Sequence, residues 1–196
     1  MIQQTRAGAF PTRYTSKVSV PLPSDEEVRR IIGDTYDSST ALNVIKMFAG
    51  ADDLYAATIG LVNAVFRAKG IDPKAREMII LRSAKILNVP YEAQANTKMA
   101  ANAGLSSAEI EAAAQEGPVN GINPDYVLLC KATDELSTTA TLTDETLTEM
   151  LDRYDEVICR KFVLIIAWFN LLSRFLNGCR VPLETIDKIG NRTSPI

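Results

Sequence analysis

The sequence predicts an all-α fold, on three observations. Helix start signals recur along nearly the whole chain: a Ser, Thr, Asp or Asn cap, followed by proline or by an acidic residue three places on, with glycine often at the far end. Between these signals the apolar residues fall at helical spacing. No segment alternates apolar and polar residues between hairpin turns.

The elements follow in order. Residues 1–23, with Pro11, Pro21 and Pro23, read as an extended arm, and residues 24–196 as a single helical domain. Ser24 and Glu27 form a capping box that opens "SDEEVRRII", which stops at Gly33. "TALNVIKMFAG" is a second amphipathic segment ending at Gly50. "DDLYAATIGLVNAVFRAKG" is a third, with Leu54, Ile59, Leu61, Val62, Val65 and Phe66 on its apolar face and Gly70 closing it.

Asp72 caps the fourth segment, "DPKAREMIILRSAKILN", with Pro73 in the first turn, where a missing N–H is harmless. Pro90 starts the fifth, which ends at Gly104. Ser106 with Glu109, Asn123 before Pro124, and Thr143 open three more. The last, Asp155 to Gly178, is apolar nearly all round its middle. That marks a helix buried on several sides, or one that forms part of a subunit contact.

Composition narrows the function. Hydrophobic residues are 46% and charged residues 23%, as in ordinary globular proteins. A net charge of −3 offers no basic patch for a phosphate backbone, so nucleic acid is not an expected partner. "MIQQTRAGAF" lacks the apolar core of an export signal. "FVLIIAWF" falls short of the roughly 20 residues that span a bilayer. The expectation is a cytoplasmic protein with no membrane partner.

Cys130, Cys159 and Cys179 show no CxxC spacing and read as reduced thiols, with Cys179 the one placed for exposure past a helix end. The chain has no histidine, which excludes Ser-His-Asp and Cys-His catalysis and removes the commonest ligand of zinc and non-haem iron. No metal and no cofactor are expected. Acid–base chemistry falls to Glu, Asp, Tyr, Lys or Cys.

"NVPYEAQANTKMAANAG" carries the candidate chemistry. Tyr91, Glu92 and Asn96 lie in the first two turns of the fifth segment, and Glu92 and Asn96 share a face at i and i+4. Glu77 lies one turn into the fourth segment, beside Arg76. The short link through "NVP" favours an antiparallel pair with Glu77 and Glu92 towards opposite ends. Ordinary roles also fit these residues. Glu92 at a helix N-terminus gains about 0.3–1 kcal/mol from the dipole, and Glu77 has Arg76, Lys74 or Arg82 as surface partners.

"KAREMIILRSAKILNVPYEAQANTKMAANAGLSSAEIEA" resembles the core motif of the carboxymuconolactone decarboxylase family, which includes the alkylhydroperoxidase-like proteins. "LNVIKMFAGADDLYAATIGLVNAVF" and "FNLLSRFLNGCRVPLE" look like its flanking segments. The resemblance implies an alkylhydroperoxidase-like helical bundle with a buried C-terminal helix, assembled as a dimer, trimer or hexamer. It also implies a site. The family's glutamate falls on Glu77, its two redox cysteines on Val89 and Glu92, the residue between them on Tyr91, and its downstream histidine on Asn96.

Both thiols are therefore replaced, and a dithiol peroxidase needs both. What the resemblance leaves is a cofactor-independent enzyme acting on a small organic acid or lactone, by decarboxylation or a related lyase or isomerase step. Glu77, Tyr91 and Glu92 are its catalytic candidates. Asn96 and Arg174 are candidates for holding substrate, Arg174 through a substrate carboxylate. Two other readings stand beside it: a non-catalytic family member serving as a binding or structural oligomer, and thiol chemistry at Cys179.

Overall fold

The computed structural model describes residues 18–196, and among these every regular element is helical. The order is α1 (Asp25–Ile32), α2 (Asn43–Ala49), a 3-10 turn (Asp52–Leu54), α3 (Tyr55–Phe66), α4 (Pro73–Ile86), α5 (Pro90–Asn102), α6 (Ser107–Ala114), α7 (Pro124–Thr139), α8 (Asp144–Arg153) and α9 (Glu156–Cys179). The caps lie where the sequence puts them. Ser24 and Ser106 accept from the backbone of Glu27 and Glu109 in complete capping boxes. Asp72, Asn123, Thr143 and Asp155 cap α4, α7, α8 and α9 with their side chains.

α4 is the axis of the fold. Every residue from Ala75 to Ala84 is buried, because α5, α6, α7 and α9 pack around it. Arg82, at 1% exposure the largest fully buried side chain, is held from several sides. Its guanidinium grips Asp134 of α7 through Nε at 2.5 Å and Nη2 at 2.7 Å. The same group donates to the carbonyl of Ala113 in the last turn of α6 and to those of Gln115 and Gly117 in the chain leading on to α7. α5 turns back along α4 through Leu87–Val89, with Asn88 at φ 54° making the reversal.

Three expectations are adjusted. α3 begins only at Tyr55, and Leu54, in the preceding 3-10 turn, is exposed rather than on the apolar face. The helix ends at Phe66, and Gly70 (φ 78°) lies in the following loop, where a Cβ would sit 2.8 Å from Ile158 Cδ1. Gly70→Ala is expected to cost about 1–2 kcal/mol, seen as a lower thermal midpoint, because an L residue is strained there and meets α9.

The third adjustment concerns α9, which buries one face and leaves the other open. By length and composition it is apolar enough to cross a membrane, but 44% of its apolar window packs inside the protein. Of the expected arm, residues 18–23 run without helix to α1. Val20 N–H donates to Cys179 O at 3.0 Å, and Arg180 donates to Val18 O at 2.8 Å, which pins this stretch to the end of α9. The remainder of the arm, residues 1–17, lies outside the described residues.

Candidate functional site

A small cavity of about 40 Å³ opens between α2, α3, α5 and α9. That is room for two or three water molecules. Aromatic and aliphatic side chains make its walls, among them Phe48, Phe66, Trp168, Phe169, Leu172 and Leu176. Tyr91, Glu92 and Asn96 from α5 also line it, and no lysine or arginine does. They arrive together because Tyr91 and Ala95 and Glu92 and Asn96 are i and i+4 pairs on the buried side of α5.

Glu92 is the group out of place in such walls. It is 1% exposed. Ser173 of α9 donates to its Oε2 at 2.6 Å, while Oε1 has no partner. Burial removes the water that would solvate the carboxylate and pushes its pKa up to about 8, against the lowering pull of the Ser173 hydroxyl. At neutral pH the group is mostly the neutral acid, with a proton to give. Asn96 returns its amide N–H to the carbonyl of Glu92 at 3.1 Å. Trp168 places a second donor in the wall, and its indole Nε1 is buried without a partner.

Tyr91 has another task. Its hydroxyl donates to Glu184 Oε1 at 2.5 Å and accepts the Val44 N–H at 3.1 Å. Burial, with the Glu184 carboxylate adding to it, holds the phenol well above its ordinary value. The hydroxyl proton is thus committed to Glu184 rather than offered to the cavity. Glu184 Oε1 also accepts the Asn43 N–H at 2.5 Å, so Tyr91 and Glu184 cap the start of α2. Tyr91→Phe is expected to lose about 1–3 kcal/mol of stability by leaving buried partners unsatisfied. Thermal unfolding would show it, with faster proteolysis of the chain beyond Pro182.

That C-terminal chain is a strap. Val181 is fully buried at its start. Gln94 and Glu184 exchange two bonds, from the Gln94 amide to Glu184 O and from Glu184 N–H to Gln94 Oε1. Lys98 pairs with Asp187. Asn102 donates to the carbonyls of Gly190 and Arg192. Pro195, two residues from the Thr193 carbonyl that Arg76 reaches at 3.4 Å, completes the cavity wall.

The remaining candidates lie elsewhere. Glu77 is fully buried on α4 but does not line the cavity. Its Oε1 meets Arg76 at 3.4 Å and its Oε2 has no partner. Burial raises its pKa to about 7, with Arg76 opposing. The surface pairing with Lys74 or Arg82 does not occur. Arg174 is exposed on α9, its Nη1 bonded to Asn170 O and Oδ1, and it takes no part in the cavity. Cys179 is half-buried and Cys130 and Cys159 are buried, and burial raises all three thiols. Among the described residues no cluster of acidic or thiol groups is arranged to hold a metal ion.

Sequence reasoning missed Ser173, Trp168, Glu184 and Pro195. No spacing signal ties them to α5: Ser173 lies 81 residues from Glu92 and Glu184 lies 93 from Tyr91, and Trp168 and Pro195 meet α5 only across the cavity.

Residues 52–123 match the Carboxymuconolactone decarboxylase family. Among solved structures, an alkylhydroperoxidase AhpD core, an uncharacterized peroxidase-related protein from Ralstonia eutropha JMP134, superposes with a TM-score of 0.73. It is 15% identical and covers 91% of this chain and 99% of its own. A protein of unknown function from Agrobacterium tumefaciens, assigned provisionally to the antioxidant defence protein AhpD, has a TM-score of 0.61 at 19% identity. It covers 71% of this chain and 97% of its own. At these identities the likeness establishes the fold. No curated protein matches the chain.

Proposed function

From the match of residues 52–123 to the Carboxymuconolactone decarboxylase family, we propose a cofactor-independent enzyme that works on a small lactone or organic acid by acid–base chemistry at Glu92. The observation that carries this reading is a buried carboxyl, one oxygen without a partner, facing an apolar cavity, where burial raises its pKa and favours the acid form. In a decarboxylation the C–CO2 bond breaks and its electron pair moves into a neighbouring carbonyl. The proton from Glu92 then ends on carbon, CO2 leaves, and water reprotonates the carboxylate. The Ser173 hydroxyl bond to Oε2 is in place to stabilise that carboxylate as it forms. Asn96 and the Trp168 indole N–H are the groups available to hold the substrate oxygen. Related lyase or isomerase steps need the same proton.

With no lysine or arginine in its lining, the cavity favours a ligand that is neutral or loses its charge during reaction. In this proposal Tyr91 positions the strap rather than donating to substrate, and Glu77 and Arg174 stay outside the reaction. Dithiol peroxidase activity is not part of it, since Val89 and Glu92 stand where the thiols would be. The three unpaired cysteines fit a reducing, cytoplasmic setting.

The test is a panel of β-keto acids, lactone acids and neutral lactones, read by CO2 release and ring opening. Turnover that falls as pH rises through about 8 is expected, because the acid form of Glu92 is required. Absence of turnover and of binding across the panel would sink the enzyme reading. It would leave the second reading, a non-catalytic oligomer, which the small cavity volume favours.

A further inference from the structure

One face of α9 walls the cavity, and the opposite face carries a row of side chains in alternating steps of three and four: Val157, Arg160, Leu164, Ala167, Leu171 and Arg174. All six are exposed, with Val157 at 56%, Leu164 at 57% and Leu171 at 55%. A row spaced 3.5 residues apart on average is the seam of a coiled coil. We propose that it is an interface between two copies of this chain, with α9 of one lying antiparallel on α9 of the other about a two-fold axis.

The row is complementary to itself in that arrangement. Taking Val157, Leu164 and Leu171 as one heptad position and Arg160, Ala167 and Arg174 as the other, antiparallel pairing sets each against its opposite. Leu164 then faces Ala167 of the second copy twice, once on each side of the axis, so large side chains meet small ones where the helices approach. Val157 faces Arg174 of the second copy, and Leu171 faces its Arg160.

Charge selects the same direction. Arg160 is neutralised within its own helix by Glu156 at 2.5 Å. Arg174 bonds only to Asn170, and among the described residues no carboxylate reaches it. Antiparallel pairing brings Glu156 of the second copy, next to Val157, beside Arg174, and sets each helix C-terminus against an N-terminus. Parallel pairing would stack Arg160 on Arg160 and Arg174 on Arg174. A lipid surface fits less well, because the two arginines interrupt the row.

Sedimentation equilibrium on the full chain tests this. The expected wild-type mass is an even multiple of 21.4 kDa, and Leu164→Asp halves it while the far-UV circular dichroism is unchanged. If that variant loses its helical signal, Ala167→Asp on the same row serves instead. In a Cys179→Ser background, oxidation links copies of the Val157→Cys/Arg174→Cys protein covalently, and copies of the Val157→Cys protein do not link. A monomeric wild type, an odd multiple, or a Leu164→Asp protein of unchanged mass overturns the proposal. So does cross-linking by Val157→Cys alone, which marks a parallel pair. A monomer that floats with anionic vesicles overturns it in favour of lipid.

Discussion

Glu92→Gln lowers turnover of any accepted substrate by about 100-fold or more, the usual contribution of a positioned acid, and makes the protein more stable in alkali. Both effects have one origin. A carboxyl with an ordinary value of 4.5 stands near 8 when folded. Between those values the folded chain keeps a proton that the unfolded chain has released. Its contribution to stability is therefore complete below the unfolded value and drains away as pH rises through the folded one.

The full excursion is on the order of 3–5 kcal/mol, at 1.36 kcal/mol per unit. Glutamine does not titrate, so the variant escapes this loss. At pH 5 it is no more stable than wild type, because a buried amide leaves two N–H donors where the acid leaves one O–H. By pH 9 it is the more stable protein by about 3 kcal/mol. Urea unfolding at three pH values reads the crossover. Parallel curves for the two proteins would show that Glu92 does not hold its proton in the fold. Retained activity would remove it from the reaction.

Arg82→Ala has the largest expected cost to folding, about 3–5 kcal/mol, the usual result of removing one partner from a buried ion pair. Asp134 loses a two-pronged guanidinium, and the carbonyls of Ala113, Gln115 and Gly117 lose their donor at the same time. For a chain of this length the midpoint should fall by about 10 °C or more. The damage is expected to centre on α6 and the chain joining it to α7, which amide exchange would localise. Arg82→Lys restores little, since an ammonium cannot make the parallel pair of bonds to Asp134. A fall of only a degree or two for Arg82→Ala would mean that helix packing, not the guanidinium, joins these elements.

The helix boundaries were legible because capping is local chemistry. Ser106 and Glu109 meet within one turn, so three residues of spacing suffice to announce them. That Glu92 and Asn96 share a face was legible for the same reason, but that this face is buried, with Tyr91 beside them, was not. The partners of the site were not. Ser173 reaches Glu92, and Glu184 reaches Tyr91, only because α9 and the strap fold back over α5. Charge type misled at Arg174. A guanidinium on an apolar helix suggests a ligand for carboxylate, yet heptad position places it on the outward row. Glu77 shows the converse. Its neighbour Arg76 was visible, but burial of both inside the ring of helices around α4 was not.

The unpartnered indole of Trp168 has a practical consequence, since it is the only tryptophan in the chain. Light that excites indole alone reports from the cavity wall and from nowhere else among the described residues. A dry wall gives blue emission. A guest that offers an oxygen to Nε1, or brings water with it, shifts the colour and changes the lifetime. The protein thus carries its own optical gauge of occupancy, readable before any reaction product is known.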